Sequence, residues 1–151
     1  MIATLIDFAD VLLAALLVGA MFGVWLMLNP ARRTAGLYIT LHQQGIQTLN
    51  TALPSFGAAA VILSIAAALL ARAERARFIL LIATAACFAA AGLITRLRNQ
   101  KINMIVNTWQ RDAPPENWRN VSHLWLRWHV LRLGAGIGGL ALLVASILRR
   151  G

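Results

Sequence analysis

Long apolar stretches alternate with polar ones along the chain. The apolar stretches cover residues 4–28, 52–71, 77–97 and 133–148. Each reaches or approaches the roughly 20 helical residues that cross about 30 Å of hydrocarbon. The pattern therefore predicts an all-α fold, a bundle of four transmembrane helices that form a single integral membrane domain over residues 1–151.

Two polar segments, residues 34–51 and 98–132, separate these stretches and are rich in Asn, Gln, His, Trp and Arg. Pro54 is expected to kink a helix that begins in the first segment and continues as the second span. The third span is expected to continue to about Gln110, and a further helix over Trp118–Arg132 leads into the fourth span. Both segments lie on the same side of the bundle, so we expect polar helical extensions that form one cap.

Composition supports a membrane location and excludes several other classes. Apolar residues make up 60% of the chain and charged residues 13%, whereas an average soluble domain has about a quarter charged residues. A soluble domain of this size could not bury so much apolar surface. A single cysteine, Cys87, excludes a disulfide framework. The net charge of +9 comes from basic residues dispersed among aromatics beside the spans, which favours headgroup anchoring over nucleic-acid binding. The predicted partner is the lipid bilayer.

An even number of spans places both termini on one side of the membrane. Basic residues on the terminal side are Arg72, Arg75, Arg77, Arg149 and Arg150. Those on the cap side are more numerous: Arg32, Arg33, Arg96, Arg98, Lys101, Arg111, Arg119, Arg127 and Arg132. The positive-inside rule weighs short loops beside the spans most strongly. On that basis we expect a bacterial inner-membrane protein with both termini in the cytoplasm.

Two acidic residues, Asp7 and Asp10, lie near the start of the first span. Carboxylates within a membrane span suggest function by default. Their position close to the terminus favours a wetted helix start instead, and pairing with Arg149 or Arg150 is the alternative.

Glycines form two patterns in the spans. Gly134, Gly136 and Gly139 spell G-x-G-x-x-G, but no strand precedes them, so a dinucleotide site is not expected. Glycines four residues apart let helices approach closely. Two such pairs, Gly134 with Gly138 and Gly19 with Gly23, predict packing faces, either within the bundle or between copies in a homo-oligomer.

A polar stripe follows the third helix, because every fourth residue of a helix lies on nearly the same face. Its members are Thr95, Asn99, Asn103 and Asn107. One interpretation is a solvated face just outside the membrane. The other is a row of amides that holds a ligand oxygen, since amides both donate and accept hydrogen bonds.

The cap helix carries the densest set of aromatic and basic residues. Trp118, Trp125, His129 and Arg132 fall on one helix face, whereas His123 and Arg127 occupy another. An interfacial aromatic belt is one interpretation. A functional site is the other, because a His beside an Arg stays neutral and can accept a proton.

The chain contains three histidines that could bind a metal: His42, His123 and His129. All three are expected on the cap side, where they could hold copper or haem. Neither a CxxCH nor an HExxH spacing occurs, so the sequence requires no cofactor.

An ordered set of polar and aromatic residues leads into the last apolar stretch. It consists of Asn103, Trp109, Pro114-Pro115, Trp118, Trp125, His129 and Arg132. Together with Asn50 and Pro54 ahead of the second stretch, this set resembles the anthrone-oxygenase-like family of small four-helix membrane proteins. The resemblance covers essentially the whole chain. A departure is His123, where the family pattern is expected to have arginine.

The resemblance implies a membrane-embedded oxidoreductase that oxidises a hydrophobic aromatic or phenolic substrate with molecular oxygen. Relatives with an assigned activity convert anthrones to anthraquinones, and many members have no assigned reaction. His129 would be the general base, and Arg132 with Asn103 would stabilise the substrate oxygen. The expected substrate-binding residues are Asn99, Asn107, Trp109, Trp125 and Trp128. The alternative is a non-enzymatic membrane protein, either a haem-, metal- or quinone-binding subunit or an interaction scaffold.

Overall fold

The structure is a computed structural model that describes residues 2–149, and Arg150 lies outside this range. Its helices are α1 (Ile2–Met27), α2 (Ala35–Leu49), α3 (Ala52–Leu70), α4 (Arg75–Ile94), α5 (Gln100–Val106) and α6 (Trp118–Leu148). A 3₁₀ turn covers Pro30–Arg32, and a π-helical turn over Thr95–Asn99 joins α4 to α5.

Four helical segments are long and apolar enough to cross a membrane: α1, α3, the continuous helix Arg75–Val106, and α6. This confirms the predicted all-α bundle and an integral membrane protein. The 31 residues of α6 rise about 46 Å at 1.5 Å per residue. Because the hydrocarbon is only about 30 Å thick, α6 is long enough to extend well beyond it.

The bundle core lies where α1, α3, α4 and α6 meet. Its buried side chains include Ala14, Leu17, Met21, Ala60, Leu81, Phe88 and Leu143. Small residues allow close helix approach in lipid, and Gly136 and Gly139 of α6 serve this purpose. A Cβ on Gly136 would lie 2.7 Å from the Met21 side chain, and one on Gly139 would lie 3.0 Å from Phe88.

The glycine pairs predicted to pack helices instead leave open space. No atom lies within 4 Å of a Cβ built on Gly134, Gly138, Gly19 or Gly23. Packing within the chain therefore uses the neighbouring glycines of α6. Association between copies through the open faces stays a prediction.

The cap is formed by α2, α5 and the first half of α6. Tyr38, Ile39, Ile102, Val106, Trp118 and Trp125 pack together there in a second buried cluster. The sequence predicted one continuous helix with a kink at Pro54. That prediction is wrong, because α2 ends at Leu49 and a separate helix, α3, begins at Ala52. Pro54 is the third residue of α3, where its missing N–H has no intrahelical acceptor to lose. The third helical segment ends at Val106, short of Gln110.

At the end of the bundle opposite the cap, Asp7 and Asp10 are not wetted, which corrects the sequence expectation. Their residues are 3% and 0% exposed. Arg77 of α4 donates from Nη2 to the Asp7 carboxylate at 2.5 Å. Ser64 of α3 donates to Asp10 Oδ2 at 2.7 Å. The two acids thus tie α1 to α3 and α4, with buried partners that the sequence did not suggest.

Candidate functional site

One face of α6 carries the side chains at the centre of the cap. Trp118, Trp125, His129 and Arg132 are 9%, 2%, 0% and 7% exposed. Spacings of 7, 11 and 14 residues return to nearly the same side of an α-helix. This confirms the shared face predicted from the sequence. His123 lies on the exposed side.

His129 and Arg132 form a tight pair inside the bundle. Arg132 donates to His129 Nδ1 from Nε at 3.0 Å and lies 2.8 Å from it through Nη2. His129 Nε2 lies 2.9 Å from the carbonyl oxygen of Met21 in α1. A carbonyl only accepts, so Nε2 carries the proton and Nδ1 is the acceptor. His129 is therefore a neutral imidazole whose lone pair faces the guanidinium.

Arg132 has neutral partners only. Its Nη1 donates to Thr95 Oγ1 at 3.1 Å, and Thr95 in turn donates to the carbonyl of Ala91 at 2.8 Å. Its guanidinium also lies 5.8 Å from the centroid of the Trp125 ring. Among the described residues no carboxylate pairs with it. A buried charge without a counter-ion is costly, so this position favours an anionic or electron-rich ligand.

A second branch of the network begins at Asn103. Its Oδ1 accepts from Trp125 Nε1 at 2.8 Å and lies 3.0 Å from His42 Nε2. An indole N–H can only donate, which identifies the amide oxygen and makes His42 Nε2 the second donor. His42 Nδ1 must then accept from the Tyr38 hydroxyl at 2.8 Å. Its oxygen is thus held by two donors, and no described residue accepts from its amide N–H₂, which can donate to a ligand.

His42 is held neutral. Burial lowers its pKa from 6.5 to about 4, the hydrogen bond to Asn103 opposes this shift, and the charge of Arg132 adds to it. Burial also raises the pKa of Tyr38. Both side chains are therefore uncharged near neutral pH, as their hydrogen bond requires.

The π-helical turn Thr95–Asn99 presents two residues of the predicted polar stripe to α6. Its wider turn closes with a hydrogen bond from the Gln100 N–H to the Thr95 carbonyl. Thr95 accepts from Arg132, and Asn99 donates to the carbonyl of Trp125 at 3.1 Å. Such π-turns inside helices are frequent at functional sites.

Two cavities meet at Arg132. A small one of about 50 Å³ is lined by His42, Asn103, Trp125 and Arg132 together with apolar residues. A larger one of about 490 Å³ extends along α3 and α4 and is mostly apolar. Arg132, Thr95, Leu53 and Pro54 line both. Charged and amide donors thus lie at the inner end of an apolar space.

The structure brings some of the predicted site residues together and separates others. His129, Arg132, Asn103 and Trp125 form one continuous cluster, in which the rings of Trp125 and His129 stack with centroids 4.8 Å apart. Asn99 is buried behind Trp125. The predicted site residues that line neither cavity are Asn99, Asn107, Trp109, His123, Trp128 and His129. His129 reaches the cavities only through Arg132, which lines both. Asn107 is exposed. The Trp128 ring packs instead against the Arg98 guanidinium, whose Cζ lies 4.7 Å from the ring centroid.

The three histidines do not form a common metal site. Within residues 2–149 no group of three or more His, Cys, Asp or Glu side chains could hold a metal ion. His123 is exposed, and the Trp125 ring contacts both His42 and His129. All four ring nitrogens of His42 and His129 already have hydrogen-bond partners.

Sequence reasoning missed three parts of the site. Tyr38 sets the tautomer of His42, and the spacing of four residues between them was a readable signal. Thr95 was noted only as part of a stripe, although it binds Arg132. The Met21 carbonyl that orients His129 left no signal in the sequence, because backbone groups are common to all residues.

Comparison with known proteins adds no relative. No protein-family model, curated protein or solved structure matches the chain. The cluster around Arg132 and the cavities beside it are therefore what indicates a function.

Proposed function

We propose that this protein is a membrane-embedded oxygenase that oxidises a hydrophobic aromatic or phenolic substrate with molecular oxygen, as anthrone oxygenases do. One observation carries the proposal: a buried arginine, Arg132, has no carboxylate partner among the described residues and lines an apolar cavity while donating to the lone pair of His129. An oxygen anion that develops on an aromatic substrate would supply the missing negative charge.

The substrate would bind by its apolar body and by one oxygen. The cavity volume of about 490 Å³ falls within the few hundred to 1,000 Å³ typical of small-molecule sites. Arg132 would donate to the substrate oxygen, and the N–H₂ of Asn103 would supply a second donor. Trp125 would border the oxygen end of the substrate.

The chemistry needs a base and oxygen. His129 Nδ1 takes a proton from an acidic C–H opposite a ring carbonyl, and the electron pair moves into an aromatic enolate whose oxygen faces Arg132. The enolate carbon forms a C–O bond with oxygen, giving a peroxide anion that is then protonated. Loss of the second C–H proton and of hydroxide breaks the O–O bond and leaves a ketone. In sum, a CH₂ group and O₂ become a C=O group and water.

Substrate binding and base activation are coupled in this mechanism. His129 has no free lone pair while Arg132 donates to it. When the substrate oxygen takes over those guanidinium donors, Nδ1 becomes free to accept the proton. The pair therefore keeps the base inactive until an electron-rich oxygen has bound.

The test is anthrone oxidation by the purified protein in lipid nanodiscs, followed by oxygen uptake and by anthraquinone absorbance. We expect turnover that His129→Ala abolishes without loss of the folded helix signal. His123→Ala is the matched control, because His123 is an exposed histidine on the same helix, and it should keep full activity. Full activity in His129→Ala would overturn the proposed base.

A second candidate is a non-enzymatic subunit that binds a quinone. The observation in its favour is that both ring nitrogens of His129 have partners, so Arg132 and Asn103 are the groups free to meet a carbonyl oxygen. The same site could serve a stable quinone without proton transfer. A saturable, oxygen-independent quinone-binding signal with no anthrone turnover would favour this candidate, whereas a Soret band or bound copper would favour a haem or metal protein.

For orientation, we propose that both termini face the cytoplasm, because the short α3–α4 loop places exposed Arg72 and Arg75 directly beside two spans. The more numerous exposed basic residues of the cap predict the reverse. Labelling of single cysteines introduced at Arg72 and at Arg119, each in a Cys87→Ser background, distinguishes the two orientations in intact cells.

Homo-oligomer formation through the open glycine faces is likewise a proposal, which the mass of the detergent-solubilised protein tests.

A further inference from the structure

The larger cavity has an exposed rim and a buried floor. Exposed rim residues lie on both helices: Pro54, Ala58 and Ile62 on α3, and Ala89 and Gly92 on α4. Exposed Arg96, in the π-helical turn that follows α4, completes the rim. Buried floor residues are Leu17, Met21, Phe88, Ala91 and Arg132. Because the apolar part of this rim belongs to two membrane-spanning helices, the opening faces lipid rather than water.

Small residues create this opening. Gly57 and Ala58 face it from α3, and Ala89 and Gly92 face it from α4. No atom lies within 4 Å of a Cβ built on Gly92, and a Cβ on Gly57 would only touch Leu17 at 4.0 Å. The absence of side chains leaves two flat helix surfaces with free volume between them, a shape that accepts a planar molecule.

The small cavity cannot hold such a molecule. Its volume of about 50 Å³ is of the order of one or two waters at about 30 Å³ each. It offers the Asn103 amide and the Arg132 guanidinium to a single polar group but has no room for a ring system. An oxygen can thus lie near Arg132 only if the attached rings occupy the larger cavity.

We propose that the space between α3 and α4 is a lateral substrate slot, through which a planar aromatic ketone or phenol passes from the bilayer to Arg132, and that Gly92 and Ala58 set the size of ring system it admits. This inference rests on the proposed function, since it assigns the substrate of the same site. Arg132 fixes the oxygen at the inner end, and the flat walls hold the rings.

The test compares Gly92→Leu with Gly134→Leu in nanodiscs. Both glycines are exposed on membrane-spanning helices and both have open space for a side chain, but only Gly92 lines the slot. Binding is measured by tryptophan quenching with 9,10-anthraquinone, and turnover with anthrone. Gly92→Leu should weaken both by at least about tenfold, the lower end of what steric changes in an apolar pocket produce. Gly134→Leu should change neither more than twofold.

The outcomes separate the slot from the reaction. Unchanged binding and turnover in a folded Gly92→Leu variant overturn the slot and leave the oxygenase proposal standing. Saturable binding that Gly92→Leu removes, without any anthrone turnover by the unaltered protein, supports the slot and contradicts the oxygenase. Oleic acid tests the alternative that the site binds a fatty acid from the bilayer. If oleic acid saturates the site and anthraquinone does not bind, the prediction of a planar aromatic substrate is wrong. The helix signal and the Tm of Gly92→Leu, compared with those of Gly134→Leu, distinguish a blocked slot from a general folding defect.

Discussion

Within residues 2–149, one arginine is buried at each end of the bundle, and the two differ in what faces them. Arg77 of α4, 4% exposed, meets the carboxylate of Asp7 of α1. Arg132, 7% exposed, meets a neutral imidazole and a threonine hydroxyl. Burial alone therefore does not identify a site. The difference lies in charge balance, because Arg77 is neutralised by the protein and Arg132 lacks an anion within the described residues.

This contrast separates a structural contact from a ligand-binding one. A buried ion pair ties helices together, and removal of one partner leaves an uncompensated charge. A buried cation held by neutral acceptors keeps its capacity to attract an anion from outside. The cavities reinforce the distinction, since Arg132 lines both of them and Arg77 lines neither.

The largest expected effect is on stability, at Arg77. Arg77→Met removes the guanidinium from the buried Asp7 carboxylate, and we expect a loss of about 3–5 kcal/mol in the free energy of unfolding. Thermal unfolding in detergent measures the effect. Arg75→Met is the matched control, since Arg75 is exposed on the same helix and should change stability by less than about 0.5 kcal/mol. Equal losses in both variants would show that the ion pair contributes nothing specific.

The same substitution at the other end should affect function instead. Arg132→Met removes a charge that no described carboxylate balances. The variant no longer bears the desolvation cost of that buried charge, and this gain offsets the loss of the hydrogen bonds that Arg132 donates to His129 and Thr95. We expect stability to change by about 1 kcal/mol or less, and anthrone turnover to fall by about 10²–10³-fold, as when an oxyanion donor is lost. A destabilisation as large as that of Arg77→Met would contradict the comparison.

The sequence predicted the face of α6 better than the partners of its residues. Helical spacing is a local rule, so Trp118, Trp125, His129 and Arg132 could be placed on one side from the chain alone. The Asp7–Arg77 pair joins residues 70 positions apart. Only the assembly of the bundle, in which α1 and α4 both pack on α3 and α6, brings them together. Likewise, the slot depends on which small residues of α3 and α4 face each other. The apolar composition of the two spans does not predict that pairing.

Local irregularities were also beyond the sequence pattern. The strict four-residue stripe assumed a regular helix from Thr95 to Asn107, whereas a π-helical turn lies within it. Nothing in the residues Thr95–Asn99 excludes a regular helix. The turn is stabilised by contacts with Arg132 and the Trp125 carbonyl, which are tertiary contacts.

The cap network should respond to acid. Because the pKa of His42 is lowered from 6.5 to about 4, the unfolded chain binds a proton more readily than the folded one. The stability that neutral His42 provides is complete above about pH 6.5 and is lost as the pH falls toward 4, by about 3 kcal/mol in total. His42 faces Tyr38, Asn103 and the Trp125 ring, and the charges that act on it are those of Arg132 and, once protonated, His129.

A difference measurement isolates this contribution from that of the carboxylates. His42→Gln keeps a side-chain donor for Asn103 but does not titrate between pH 4 and 6.5. The Tm of the unaltered protein should therefore fall more steeply over this range than that of the variant. Parallel curves would mean that His42 is not held neutral by the fold.

The smallest expected effect returns to the end of the bundle opposite the cap, at Ser64. Its hydroxyl donates to Asp10 Oδ2 at 2.7 Å, while Asp10 Oδ1 has no hydrogen-bond partner among the described residues. Ser64→Ala removes that donor from a fully buried side chain, and we expect a loss of about 1–2 kcal/mol in unfolding free energy.

Ser146→Ala is a close control, because Ser146 is equally buried but donates only to the Leu143 carbonyl of its own helix. Such back-bonding within a helix stabilises little, so Ser146→Ala should leave the Tm nearly unchanged. Neither variant should alter anthrone turnover, since both serines lie outside the two cavities. A loss of turnover in Ser64→Ala at unchanged stability would show that the Asp10 end takes part in function, and the division between a structural end and a ligand-binding end would have to be abandoned.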